Sequence, residues 1–386
     1  MNNQKNLDWI QMLRGIAALL VVLCHARYAL LNTEGFGLAQ QLLMPGASGV
    51  DLFFLISGFI MCYSTAGSDG SPAEVARFAI KRFARVWPVY AVVTLVAIFA
   101  LSGGIEYFQD PAKRATFWHS IAMVPANPRY MPYFSLSLEQ GWTLLFEMYF
   151  YLMFVVSMLF RRLRWVALAA WVGLTVIAPQ LGAYDMSISR DFGYAVGYLS
   201  IVTSPFVLEF VAGVLIGWLY LQPWFRIGNR QLAWHALGLG VAFALWAIYS
   251  GATVIHGPTQ WGWPLALMVT LMALASKTVR IPVPPFFLWL GAISYSLYLT
   301  HLIAQGLVRR AMEAYGLGHL SHTWGFIFIS TACALPLAAL SHRLLEQGLS
   351  NLVRKALLRL VPAKPQQQPQ QQQSVQAAPT IAHLSR

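Results

Sequence analysis

Apolar runs about as long as a bilayer is thick recur along almost the whole chain, and few folds accommodate that. A helix needs about 20 mostly apolar residues to cross the hydrocarbon core. Runs of that order occupy residues 9–31, 47–64, 83–102, 136–160, 165–182, 195–221, 232–251, 261–277, 285–307 and 323–341. Composition argues the same way. Of 386 residues, 58% are hydrophobic and only 10% charged, against roughly 25% charged in soluble domains. The first run has no small-residue cleavage site after its apolar core, which predicts a retained helix rather than a removed signal. The expected fold is an all-α polytopic membrane protein of about ten transmembrane helices.

Basic residues orient these spans. With the N-terminus inside, the inner connections carry Lys5, then Arg77, Lys81, Arg82 and Arg85, then Arg161, Arg162 and Arg164. Arg226, Arg230, Lys277 and Arg280 follow, and Arg343, Arg354, Lys355, Arg359 and Lys364 close the series. The other side holds only Arg27, Lys113, Arg114, Arg129, Arg190, Arg309 and Arg310. This positive-inside bias predicts that both termini are cytoplasmic. The net charge of +12 then sits where anionic inner-leaflet lipids attract it, and no nucleic-acid partner is needed to explain it.

Residues 1–347 read as one integral-membrane domain, 348–364 as a basic juxtamembrane segment, and 365–386 as a Gln/Pro-rich disordered tail with nothing to bury. Residues 103–135, with Pro111, Pro125, Pro128 and Pro132, form an outer loop long enough for a lid or a substrate rim. No repeat of the two halves is visible, which counts against transporters built by duplication. Cys24, Cys62 and Cys333 are expected to be buried free thiols acting as small hydrophobes. Neither His nor Cys shows metal-ligand spacing.

Polar groups inside the apolar runs are the candidates for chemistry, because hydrocarbon rejects them unless they face a cavity or a partner. In "LRGIAALLVVLCHARYAL", Arg14 and His25 are eleven residues apart, close to three full turns, so they share one helix face about 16 Å apart along the axis. Arg14 alone reads equally well as an anchor snorkelling to inner headgroups, and His25 alone as a hydrogen-bonded core histidine; their shared register favours a joint role. "GVDLFFLISGF" places Asp51 near the outer start of the second span, at a depth where it can orient the His25 imidazole, with Ser57 deeper. "KRFARVWPVY" puts Arg82 and Arg85 on one face at the inner mouth of the third span, where Pro88 is tolerable if it lies in the first helical turn. Glu147 in "WTLLFEMYFY", Glu209 in "LEF" and His301 in "SYSLYLTH" are buried as well. Such groups are expected to converge on a polar cavity or on one another.

In order, "LRGIAALLVVLCHA", "GVDLFFLISGF", "RFARVWPVY", "WTLLFEMYFY", "ISYSLYLTH" and "HRLLE" resemble the motif series of the integral-membrane acyltransferase-3 family, from about residue 7 to 347. The resemblance implies an O-acyltransferase of the bacterial inner (cytoplasmic) membrane, acting mostly as an O-acetyltransferase of exopolysaccharides, O-antigens and related glycans. It makes Arg14 and His25 the pair of the first helix, Arg82 and Arg85 the paired arginines of the third, Glu147 the acid of the fourth and His301 the histidine of the ninth. Two positions depart from the pattern: Thr143 stands where Ser is commoner, and Glu346 is followed by Gln347 and Gly348 where a proline is usual.

With that resemblance the polar residues acquire roles. Arg82 and Arg85 would hold the phosphates of cytosolic acetyl-CoA, which is a substrate rather than a cofactor, and no cofactor is expected. The pantetheine arm would pass Arg14, and His25 would act as general base toward a sugar hydroxyl or as the acyl carrier, with Asp51 and Glu147 in support. His301, Glu209 and Ser57 complete the expected polar cavity. The acceptor would be a polysaccharide or lipid-linked oligosaccharide at the periplasmic face. Two other classes use the same residue types or none of them: a proton-coupled transporter or glycan flippase, and a membrane subunit without catalysis. Acetyl-CoA binding separates the enzyme from both.

Overall fold

The computed structural model describes residues 7–181, 186–194 and 196–362. Lys5 and the tail 365–386 lie outside them. The described residues are helical, with no strand, as expected where backbone polar groups must be satisfied inside each segment. In chain order the helices are α1 (Asp8–Ala26), α2 (Phe36–Leu43), α3 (Gly49–Ser64), α4 (Pro72–Leu101) and α5 (Pro111–Ile121). Next come α6 (Trp142–Leu159), α7 (Arg164–Val172), α8 (Ala178–Leu181), α9 (Gly197–Val202), α10 (Phe206–Leu221) and α11 (Arg230–Tyr249). The last are α12 (Trp263–Ser276), α13 (Pro285–Ala292), α14 (Ser294–Ala314), α15 (Trp324–Ser341) and α16 (Ser350–Leu358).

Seven of the helical segments among the described residues are long and apolar enough to cross a membrane, and eight if α13 and α14, bent by 74° at their junction, count as one span. Every apolar run of the sequence is helical, but not every run yields a full-length helix. Run 195–221 is split where Ser204–Pro205 separates α9 from α10, because proline removes a donor and restricts the residue before it. Run 261–277 yields a 14-residue α12.

Three further expectations change. The helix carrying Arg82 and Arg85 begins at Pro72 and runs for 30 residues, so Pro88 lies in its interior rather than in its first turn. The described part of the basic segment 348–364 is largely helical: a π-helical stretch, His342–Leu349, joins α15 to α16. Cys24 and Cys62 are buried, whereas Cys333 is exposed on the outside of the bundle.

Close backbone approach sets the packing. An ideal Cβ on Gly58 would stand 2.0 Å from the Phe210 carbonyl oxygen, and one on Gly213 2.0 Å from that of Leu55. α3 and α10 therefore touch backbone to backbone, as small residues permit in membrane helix pairs. Gly291 meets the Gln11 carbonyl in the same way, pinning α13 to α1, while Gly46 and Gly49 rest on the carbonyls of Leu20 and Ala17. The outer segment 103–135 is folded rather than open: α5 is capped by Asp110, which accepts from the Ala112 amide at 2.8 Å, and Trp87 Nε1 donates to the Ile121 carbonyl at 2.9 Å.

Candidate active site

One end of the bundle opens into a cavity of about 890 Å³ between the end of α3, the first half of α4 and α16. Its walls carry Arg14, Arg77, Lys81, Arg82, Arg85 and Arg354, against the two acids Glu74 and Glu346. A second cavity of about 340 Å³ shares Gln11, Arg14, Arg82 and Arg85 with the first and continues inward past Phe53, Ser57 and Glu147 to Thr143, Tyr295 and Tyr298. The route is wide and basic at the mouth, then narrow and largely apolar.

The side chains at the junction are firmly placed. Arg14 donates to Gln11 Oε1 and to Ser294 Oγ, both at 3.1 Å. Arg82 donates to Ser64 Oγ at 3.0 Å, and its guanidinium lies 5.0 Å from the centre of the Phe78 ring and 5.6 Å from that of Tyr151, within cation–π range. The Tyr151 hydroxyl donates to Glu147. Glu346, where the sequence departs from the family pattern, accepts from the Ser296 hydroxyl at 2.6 Å and its amide at 3.1 Å, so it ties the π-helical stretch to α14. Among the described residues, none of Arg14, Arg82 and Arg85 forms an ion pair within 4 Å, and Arg85 makes no hydrogen bond. Glu147 and Glu346 act on these cations from beyond ion-pair distance, and three arginines unclamped by an ion pair, at the neck of a cavity, suit an anionic ligand.

Beyond this neck two histidines meet. Arg14 faces α14 at Ser294, and His25 faces the same helix further along, its ring centre 4.9 Å from that of His301. The shared face of Arg14 and His25 is thus the face that packs on α14. His25 Nδ1 bonds the Val21 carbonyl at 2.9 Å, and His301 Nδ1 bonds the Tyr298 carbonyl at 2.7 Å. Carbonyls only accept, so both rings carry their proton on Nδ1 and present a lone pair at Nε2. Gln305 donates to the Val22 carbonyl at 3.2 Å, and Gln140 to that of Leu299 at 2.8 Å, holding α1, α14 and the start of α6 together around the pair.

Asp51 is placed differently from expectation. It makes no hydrogen bond to His25; its Oδ2 lies 2.6 Å from His256 Nδ1, and its Oδ1 accepts the Gly257 amide at 2.9 Å. The physical reason is the chain break before α12, where Gly257 takes φ 128° and turns the loop down onto α3. Glu209 belongs to this second cluster, packed against Asp51 and the backbone of Gly262. The polar residues therefore form an inner group (Arg14, Arg82, Arg85, Glu147, Ser57), a histidine pair (His25, His301) and an outer group (Asp51, Glu209, His256), rather than one cavity. No group of three or more His, Cys, Asp or Glu among the described residues is placed to hold a metal ion.

His256 lies outside every quoted motif, whereas Tyr151, Ser294 and Tyr298 stand inside "WTLLFEMYFY" and "ISYSLYLTH" beside the residues singled out there. The one local signal for His256 is "IHGPTQWG", a turn-forming break between two apolar runs. Around the outer group runs an aromatic rim: Tyr130 lies tilted 5.6 Å from Tyr133, and Tyr133–Trp142 at 5.5 Å and Trp142–His256 at 5.8 Å meet edge to face. Burial pushes the Tyr133 phenol up, which keeps it a neutral hydrogen-bond donor.

Comparison with known proteins bears on the arrangement. The chain matches the family model described as an acyltransferase domain over residues 7–343. It is 32% identical over 281 residues to the exopolysaccharide production protein ExoZ of Rhizobium meliloti (strain 1021), covering 71% of this chain and 81% of that protein. It is 28% identical over 327 residues to nodulation protein 10 of Rhizobium leguminosarum bv. viciae, covering 79% and 82%. Acyltransferase MdmB of Streptomyces mycarofaciens is 26% identical over 363 residues, covering 88% of each. No solved structure matches the chain. With a family model matched along nearly the whole of a many-helix apolar chain, the chain belongs to the acyltransferase-3 family and is a membrane O-acyltransferase.

Proposed function

We propose that this enzyme carries an acetyl group from cytosolic acetyl-CoA, through the bacterial inner membrane, to a sugar hydroxyl of a polysaccharide or lipid-linked oligosaccharide at the periplasmic face. About ten crossings with both termini cytoplasmic suit that route. One observation carries the reading: Arg14, Arg82 and Arg85, none held in an ion pair within 4 Å among the described residues, stand where a cavity of about 890 Å³ narrows into one of about 340 Å³. A nucleotide with several phosphates fits the basic mouth and a thin thioester arm fits the neck, whose far wall, at Tyr298, adjoins His301. His25 Nε2 then meets the thioester carbonyl, either taking the acceptor proton or receiving the acyl group. The polysaccharide context of the ExoZ relative supports a glycan acceptor.

The test supplies radiolabelled acetyl-CoA to inverted inner-membrane vesicles from an expressing strain lacking other enzymes of this kind. Alkali-labile label should enter the glycan fraction, and His25→Asn should abolish it with the protein at normal level. Label that stays with acetyl-CoA in wild-type vesicles, or normal transfer by His25→Asn, would overturn the reading.

A further inference from the structure

We propose that His256, held by Asp51, is the base that takes the proton from the acceptor hydroxyl; this rests on the acyl transfer proposed above. Of His25, His256 and His301, it alone pairs with a carboxylate; His342 pairs with Glu346, but at the wall of the basic cavity. His25 and His301 give their Nδ1 protons to backbone carbonyls, and with their rings 4.9 Å apart, a proton taken up by one is repelled by any charge on the other. His256 Nδ1 lies 2.6 Å from a fully buried Asp51, whose other oxygen is fixed by the Gly257 amide at 2.9 Å. A proton arriving at His256 Nε2 therefore makes an imidazolium beside a fixed carboxylate in a low-dielectric site, where that charge pair counts for far more than in water.

The surroundings fit a working group rather than a staple alone. The His256 side chain keeps 12% of its surface exposed within aromatic walls, Trp261 at 5.1 Å, Trp142 at 5.8 Å and Phe206 at 5.9 Å. Glu209, only 2% exposed and set directly against Asp51, adds a second carboxyl behind it. His256 is also within electrostatic reach of His25, because Gly46 and Gly49 bring the start of α3 against residues 17–20 of α1.

The assignment completes the chemistry with His25 as carrier. His25 Nε2 attacks the thioester carbon, the C–S bond breaks, and its electron pair leaves on the CoA thiolate. The acceptor oxygen then attacks the acetyl carbon while its proton passes to His256 Nε2. The C–N bond breaks, its pair returns to His25, and His256 releases the proton to the outer aqueous face.

Asparagine separates base from staple, because its side-chain amide occupies the place of imidazole Nδ1–H and still donates to Asp51, but offers no lone pair at Nε2. In the labelled acetyl-CoA vesicle assay, His256→Asn should lose about a hundredfold or more of the transfer rate, with acetyl-CoA binding by the purified variant unchanged. His256→Ala should regain transfer when imidazole is added. Near-normal transfer by His256→Asn overturns the proposal, and so does inactivity that imidazole cannot rescue in His256→Ala. If His256→Asn is active while His25→Asn is dead, only this inference fails; if both are active, the acyl-transfer site itself is misplaced.

Discussion

Arg85 occupies a helix interior with neither hydrogen bond nor ion pair among the described residues, an arrangement that hydrocarbon would penalise heavily. What relieves it is the cavity on which it opens, together with the nearby carboxylates of Glu147 and Glu346. Replacing both, Arg82→Ala with Arg85→Ala, removes charge-assisted phosphate contacts of about 1.5–3 kcal/mol each, and every 1.4 kcal/mol or so is tenfold. The expected outcome is a KM for acetyl-CoA raised at least about tenfold, at normal membrane levels by immunoblot. An unchanged KM would reduce these arginines to topology anchors. Arg14→Ala should behave otherwise. Its guanidinium bridges Gln11 to Ser294, so the loss is one of positioning, and weak activity should remain in the vesicle assay; complete loss would assign Arg14 to the chemistry itself. These residues were legible in the sequence because eleven residues close three helical turns and because charge inside an apolar run is conspicuous. The Asp51–His256 contact was not. It joins positions 205 apart, and no local periodicity reports a contact made by a loop folding back across the bundle.

At the scale of helices, α3 and α10 form the scaffold of the outer group, since Asp51 rides on one and Glu209 on the other. Their spacing is set by glycine. A Cβ at position 213 would fall 2.0 Å from the Leu55 carbonyl oxygen, a backbone atom with nowhere to move. Gly213→Leu should therefore separate the helices at a cost of about 1–3 kcal/mol or more, read as a lower midpoint of thermal unfolding in detergent. Gly238 on α11 is the control: nothing lies within 4 Å of its ideal Cβ, and Gly238→Ala should be neutral or gain about 0.5–1 kcal/mol of helix propensity. Equal behaviour of the two variants would mean that the α3–α10 contact does not limit stability. Hydropathy located these helices but not their ends. The first half of α4 is amphipathic and basic, so an apolar window starts at residue 83 although the helix starts at Pro72. α10 and α12 are likewise cut short by Pro205, Gly262 and Pro264, which a window average smooths over.

The proposed sidedness of the molecule rests on one helix and one contact, whatever the total number of crossings. α4 has 30 residues, about 45 Å at 1.5 Å per residue, which exceeds a hydrocarbon core of roughly 30 Å. If α4 crosses the bilayer, its two ends emerge on opposite faces. At its first turns Arg77 donates to the Pro362 carbonyl, and Lys81, Arg82 and Arg354 share the basic mouth, so the described C-terminal end lies on the mouth side. Beyond Leu101 the chain enters α5 and the loop that holds Pro125, packed against Gly197, on the other side. By the positive-inside rule we propose that the mouth, dense in Lys and Arg, faces the cytoplasm, the side that would supply acetyl-CoA. A fluorescent-protein fusion at the C-terminus should therefore fluoresce while a phosphatase there stays silent, and a phosphatase inserted at Pro125 should be active. Both sites reporting one side would mean that α4 does not cross, and the basic cavity would lose its access to a cytosolic donor. Reversed signals at both sites would keep the fold but turn the mouth toward the periplasm, excluding acetyl-CoA as the donor that Arg82 and Arg85 hold.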